Sequence, residues 1–98
     1  MSMGDFTLSI ERLEDIVGDV FGVDKRGFYT LRGERTLSTA RHMLWYILHE
    51  HMGMSNKEIA DRYVRSKRKV IKYISEMKFR VVNQRNDREF YKKIMEEL

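Results

Sequence analysis

Cysteine is missing from this chain of 98 residues. Disulfides, thiolate zinc sites and a cysteine nucleophile are thereby excluded, and a reducing compartment is expected. Proline is missing too, so six glycines do most of the punctuation. No apolar run approaches the roughly 20 residues that a membrane span needs. The first five residues lack the basic and apolar regions of a secretory signal, which points to the cytoplasm. No glycine-rich phosphate loop, internal repeat or low-complexity tract occurs. No segment sustains an alternation of period two, so strands are not expected and the fold should be all-α.

What is present describes one globular domain. Hydrophobic residues make up 42% and charged residues 35% of the chain, a balance that folds around a single modest core. We expect one domain over residues 1–98, with the first six residues outside its ordered part. Net charge is +4, but it is unevenly distributed. Residues 1–54 carry six Lys/Arg against eight Asp/Glu, and residues 55–98 carry thirteen against seven. In the window 62–80, eight basic residues meet one acid, Glu76. Charge gathered this way either forms a solvated helix face or meets a polyanion.

Helical periodicity organises the chain. The first helix is expected to start at Thr7 or Ser9, either able to cap it. It buries Ile10, Leu13, Ile16, Val17, Val20 and Phe21, and Gly22 ends it. Residues 23–35 read as a short helical turn and then a loop, "LRGERT", exposing Arg32 and Arg35. A second long helix is expected from about Ser38 to Met52, with Ala40, Met43, Leu44, Ile47, Leu48 and His51 on its inner face and Gly53 as its stop. Ser55-Asn56-Lys57-Glu58 has the form of a capping box and opens a short helix with Ile59, Ala60 and Tyr63 inside. After a break at Val64-Arg65, Ser66 can cap a further helix striped by Val70, Tyr73, Ile74, Met77 and Val81. A last helix should begin near Asn86 or Asp87 and bury Phe90, Ile94 and Leu98.

A short helix, a tight break and a basic helix have the layout of a helix-turn-helix. Small Ala60 permits close approach, Val64 should plug the turn, and Ile59, Val70 and Ile74 should hold the crossing. The second helix would then offer its outward face to the major groove, N-terminal residues nearest the bases. At about 100° per residue, the Val70–Ile74–Met77–Val81 stripe lies nearly opposite Arg68 and Lys72. Lys69 flanks them, and Lys67 sits nearer the stripe. Arginine can pair with guanine in bidentate fashion, whereas lysine mainly neutralises phosphate. Arg65 and Arg68 are therefore expected to read, and Lys67, Lys69 and Lys72 to supply affinity. Cations in the first turn of a helix oppose its dipole by roughly 0.3–1 kcal/mol each, a cost that favours a functional patch.

Three stretches carry a resemblance. The long helix contains Arg41-His42-Met43 followed by "LWYILHE". The short helix opens with "MSNKEIADRY", and the basic helix with "YVRSKRKV". From Leu8 to Leu98 the chain resembles the C-terminal DNA-binding domain of the bacterial replication initiator DnaA. That family has Arg-Gln-Met in its long helix and the signature Phe-Gly-Gly-Arg-Asp-His-Thr-Thr-Val, one residue longer than the stretch here. The resemblance implies a compact domain of five to six helices, as in this family and the Trp repressor, with double-stranded DNA as its partner. It also implies Arg65 at the signature arginine, with Ser66, Lys67 and Arg68 where the family reads its origin box with Asp, His and Thr. Lys69 replaces a threonine near the DNA backbone. Arg41 would lie on phosphate, Ser55 at a capping position touching backbone, and Arg32 and Arg35 in the loop used in the minor groove. Gly33 and Glu34 depart from the basic character of that loop, and Ala40 replaces a proline.

The lost Asp-His-Thr trio removes the family's sequence-reading groups, and Lys and Arg there add sequence-independent attraction. With no ATPase module in these residues, the chain would not be an initiator by itself. Its target differs from the family's box, or it binds with little sequence preference.

Other chemistry finds little support. His49-Glu50-His51 lacks the four-residue spacing of a zinc-protease helix; a partly buried His51 and an exposed or phosphate-facing His49 are expected instead. His42 reads as a surface or helix-contact residue. The pairs Glu14-Asp15 and Glu96-Glu97 diverge and have no nucleophile beside them. No catalytic residue, metal ligand, cofactor or small-molecule substrate is assigned. Trp45 and Tyr46 either pack on the first or last helix or form part of a protein contact. Phe79 either receives the last helix through Phe90 and Ile94 or marks a dimer surface. Two readings result: a DNA-binding module, associated with the nucleoid, or a protein-interaction adaptor that keeps the fold and has lost DNA binding.

Overall fold

The computed structural model describes residues 3–98, with side chains from residue 9 onward. Five α-helices and one 3-10 turn follow in order: α1 Met3–Phe21, the 3-10 turn Lys25–Tyr29, α2 Arg35–Met52, α3 Asn56–Tyr63, α4 Lys67–Asn83 and α5 Arg85–Glu97. Among the described residues there is no strand, and the domain is all-α. Its radius of gyration, 12.4 Å, fits one core of about 100 residues.

The central element is α2, which packs on α1, α3 and α4, while α5 closes the bundle against α4 and α1. Burial follows the expected stripes. Leu13 and Val17 from α1, Met43, Leu44, Ile47 and Leu48 from α2, Ile59 and Tyr63 from α3, Val70 and Met77 from α4 and Ile94 from α5 are all fully enclosed. Trp45 and Tyr46 are buried as well. Gly22 (φ 69°) and Gly53 (φ 72°) adopt the left-handed conformation that ends a helix without Cβ strain.

Several boundaries and contacts differ from expectation. Helix α1 already begins at Met3, so Thr7 and Ser9 lie inside it rather than at its cap. Helix α2 starts at Arg35 with no side-chain cap, three residues before Ser38, because Leu37 is drawn into the core. His51 is exposed and meets the Tyr91 hydroxyl at 2.5 Å; two residues before Gly53, it lies where the helix leaves the core. His49 is half-buried, and its Nδ1–H donates to the Met54 carbonyl at 2.7 Å, closing the end of α2. Phe90 stacks on Phe21 at 4.3 Å rather than on Phe79, and Phe79 is left 62% exposed. Leu98 is also exposed.

Glu14 joins three elements from within the core. Its buried carboxylate accepts hydrogen bonds from Tyr29 Oη of the 3-10 turn and from Tyr63 Oη of α3, the latter at 2.7 Å. Arg62 approaches the other carboxylate oxygen at 3.8 Å and lies over both tyrosine rings. Burial and the neighbouring carboxylate raise Tyr29 to about 12 and raise Tyr63 further, so both remain donors. This network seats the first helix of the helix-turn-helix on α1.

The turn itself differs from expectation at Val64. Its side chain is 76% exposed and does not plug the turn. Its backbone is left-handed, φ 55° and ψ 57°, and its N–H closes α3 on the Ala60 carbonyl. A left-handed β-branched residue costs roughly 1–2 kcal/mol, and so little packing is lost on its removal that Val64→Gly should stabilise the domain. After allowing for the greater chain entropy of glycine, the expected gain is about 0.5–1 kcal/mol, read as a higher urea midpoint at unchanged slope. A lower midpoint would show that valine is not strained there.

Candidate nucleic-acid interface

The front of α4 is built by its cap. Ser66, extended at φ −72° and ψ 142°, accepts the Lys69 amide at 3.2 Å and starts the helix. Lys67, Arg68 and Lys69 then occupy a first turn without acidic residues. Inward-facing Val70, Ile74, Met77 and Val81 fix the rotation of α4. Lys67, Arg68, Lys69 and Lys72 consequently all stand in solvent. Among the described residues, none of Lys67, Arg68 and Lys69 has a carboxylate partner, and Lys72 Nζ lies 5.6 Å from the Tyr73 ring. Glu76, on the same helix, is exposed without pairing to them. Lys78, further along, is the α4 lysine that meets an acid, Glu50 at 3.8 Å.

Arg65 is committed to the fold. One guanidinium nitrogen donates to the carbonyls of Tyr63 and Val64 at 3.2 and 3.4 Å, and the other to the Thr30 carbonyl. It thereby ties the helix-turn-helix to the loop that precedes α2. Arg41, expected on the surface against phosphate, grips that loop from beneath. It is only 4% exposed, and its Nη2 donates to the carbonyls of Gly27, Thr30 and Arg32 at 2.9, 3.3 and 2.9 Å. Burial and the nearby Arg65 charge lower its pKa. Three carbonyls converge beneath this segment: the Thr30 amide reaches Gly27 O, and the Arg41 guanidinium from α2 supplies a donor to all three.

The remaining expected residues divide. Arg32 is paired with Glu34, yet it lines a cleft of about 200 Å³ together with Arg65, Lys69, Tyr73 and Leu31. Arg35 is on another side, bordering a depression with Arg80, Gln84 and Arg85. Ser55 is engaged as the cap of α3: its Oγ accepts the Glu58 amide at 3.1 Å, and its own N–H donates to Glu58 Oε1 at 3.0 Å. A carboxylate thus occupies the amide that a phosphate would approach. The cluster brought together is Lys67, Arg68, Lys69 and Lys72, with Arg32 across the cleft.

Sequence reasoning did not find the wall of that cleft. His42 of α2 stacks on Tyr73 of α4 at 3.9 Å and 9°, beneath the cationic front. Periodicity puts Tyr73 on the apolar stripe of α4 and allows His42 a helix contact, but only the α2–α4 packing makes the two rings neighbours. Among the described residues, no group of three or more His, Asp or Glu is placed to hold a metal ion, and no helix is long and apolar enough to cross a membrane. The chain matches no protein-family model and no curated protein.

Burial first, then the charges of Arg41, Arg80 and Arg65, lowers His42 from 6.5 to about 4. A folded pKa below the unfolded one stabilises the native state above pH 6.5, and that contribution is lost as pH falls toward 4. The loss should reach roughly 3 kcal/mol by pH 4. In His42→Phe, which keeps the stack, the stability profile between pH 6.5 and 4 should flatten; an unchanged slope would place the acid transition elsewhere.

Proposed function

We propose that this domain binds double-stranded DNA, laying the N-terminal half of α4 in the major groove. The observation that carries the reading is the row of exposed cations, Lys67, Arg68, Lys69 and Lys72, with no carboxylate partners among the described residues. Three of them lie in the first turn of α4, where the helix dipole disfavours them. The reading is also supported by the resemblance of residues 8–98 to the DnaA C-terminal domain. It makes the chain a binding module acting without catalysis, with Arg68 as the groove-reading candidate. Lys67, Lys69 and Lys72 neutralise phosphate, and Arg32 adds charge beside them. Arg65, Arg41 and Ser55 serve as scaffold to this surface, and Arg35 lies apart from it. Affinity then comes mainly from counterion release, with modest preference among sequences.

A second reading is favoured by a different observation. Ile71, Phe79 and Val82 are exposed on α4, as they would be in an adaptor that docks a protein partner there.

Titrating salt against binding to a random-sequence duplex separates the two. The DNA reading expects affinity to fall steeply as salt rises, and the logarithmic slope to become shallower by about 1 for each of Lys69→Ala and Lys72→Ala. Arg41→Lys, altered beneath the surface, should leave that slope in place once folded protein is compared. Absence of binding at low salt would instead favour the adaptor.

A further inference from the structure

The loop before α2 holds a leucine where its chemistry is least expected. Leu31 is 86% exposed, more than any other large hydrophobic residue described. A lone exposed leucine on a loose loop means little, but this loop is fastened. The carbonyls on either side of Leu31, those of Thr30 and Arg32, are both held by the buried Arg41 guanidinium at 3.3 and 2.9 Å. Arg65 holds the Thr30 carbonyl a second time. The Arg32 amide donates to Thr30 Oγ1 at 3.3 Å, and that hydroxyl donates to Gly27 O at 2.9 Å. Backbone fixed at residues 30 and 32 limits how far the side chain between them can fold back. Its surroundings are cationic: Leu31 borders the cleft shared with Arg32, Arg65 and Lys69. A second aliphatic side chain, exposed Val64, lies beside the same Arg65, which bonds its carbonyl at 3.4 Å. An apolar prong held rigid among cations fits a polyanion with an apolar interior accessible from its edge, as duplex DNA has between its stacked bases.

We propose that Leu31 is a wedge that enters the minor groove next to the α4 contact and partly unstacks one base step. This rests on the DNA-binding reading. Wedge residues of this type act next to arginines that follow the groove, and they kink the duplex. Arg32 is the adjacent arginine here. The ordering entropy that usually weakens a loop contact is already met by the Arg41 and Arg65 hydrogen bonds. Unstacking costs least at pyrimidine–purine steps, so a preference for TA and CA/TG steps follows without any base hydrogen bond.

The test uses the full chain and duplexes carrying 2-aminopurine at a TA step, with donor and acceptor dyes on the ends. Binding of the unaltered protein should raise 2-aminopurine emission and shorten the end-to-end distance. Leu31→Ala should abolish both changes and weaken binding by about tenfold, with the salt slope unchanged. Leu31→Met should keep both signals. Lys69→Ala should do the opposite, reducing the slope while leaving the signals intact in saturated complexes. Binding without either signal, or signals that persist in Leu31→Ala, would overturn the wedge and leave DNA binding standing. Loss of self-association in Leu31→Ala with bending unaltered would assign the leucine to a protein contact and overturn it likewise. No binding of any duplex at low salt would overturn both readings.

Discussion

A guanidinium buried under a loop is the constraint on which the candidate interface depends. Arg41 leaves α2 at a point where the chain between the 3-10 turn and α2 has no regular partner, and it takes up the carbonyls of Gly27, Thr30 and Arg32. Gly27 O also accepts from Thr30 and Thr30 O from Arg65, whereas Arg32 O depends on Arg41. Leaving that carbonyl unpaired would cost about 1–3 kcal/mol, so the guanidinium is what lets the loop lie on the core. Arg65 meets the same loop from the helix-turn-helix. Two cations that sequence alone suggests for a ligand are instead what holds loop, turn and long helix in one geometry.

Glu14 supplies the corresponding link on the other side. With Tyr29 and Tyr63 donating to it and Arg62 beside it, the carboxylate joins α1, the 3-10 turn and α3. Helix α3 has only eight residues, too few to be stable without tertiary support. Its capping box and this buried network provide that support, and α4 is oriented on the result. The strain at Val64 sits in the connection between them, where neither anchor removes it.

Legibility varied with how local the determining physics is. The buried stripe of α4 and the outward side of Arg68 and Lys72 follow from residue spacing. The glycine stops and the Ser55 and Ser66 caps follow from chemistry within four residues. Arg41 and Arg65 are harder to place because a solvated arginine and one on a carbonyl read alike in sequence, and Arg35 because the side of the domain it faces is set by how α2 packs. Periodicity puts His51 on the inner face of α2, but its turn projects beyond the core. Local spacing does not place Phe79, because Phe21, 58 residues before it, captures the Phe90 ring that could have covered it.

By itself, then, the chain's pattern of apolar spacing, glycines and capping residues determined an all-helical domain and the side of α4 that carries charge, since those depend on neighbours a turn or two away. Tertiary structure alone decided which cations are spent internally, which remain in solvent and where Leu31 points. Those outcomes depend on carbonyls, rings and carboxylates brought together across tens of residues, and no local spacing encodes which donor will reach them first.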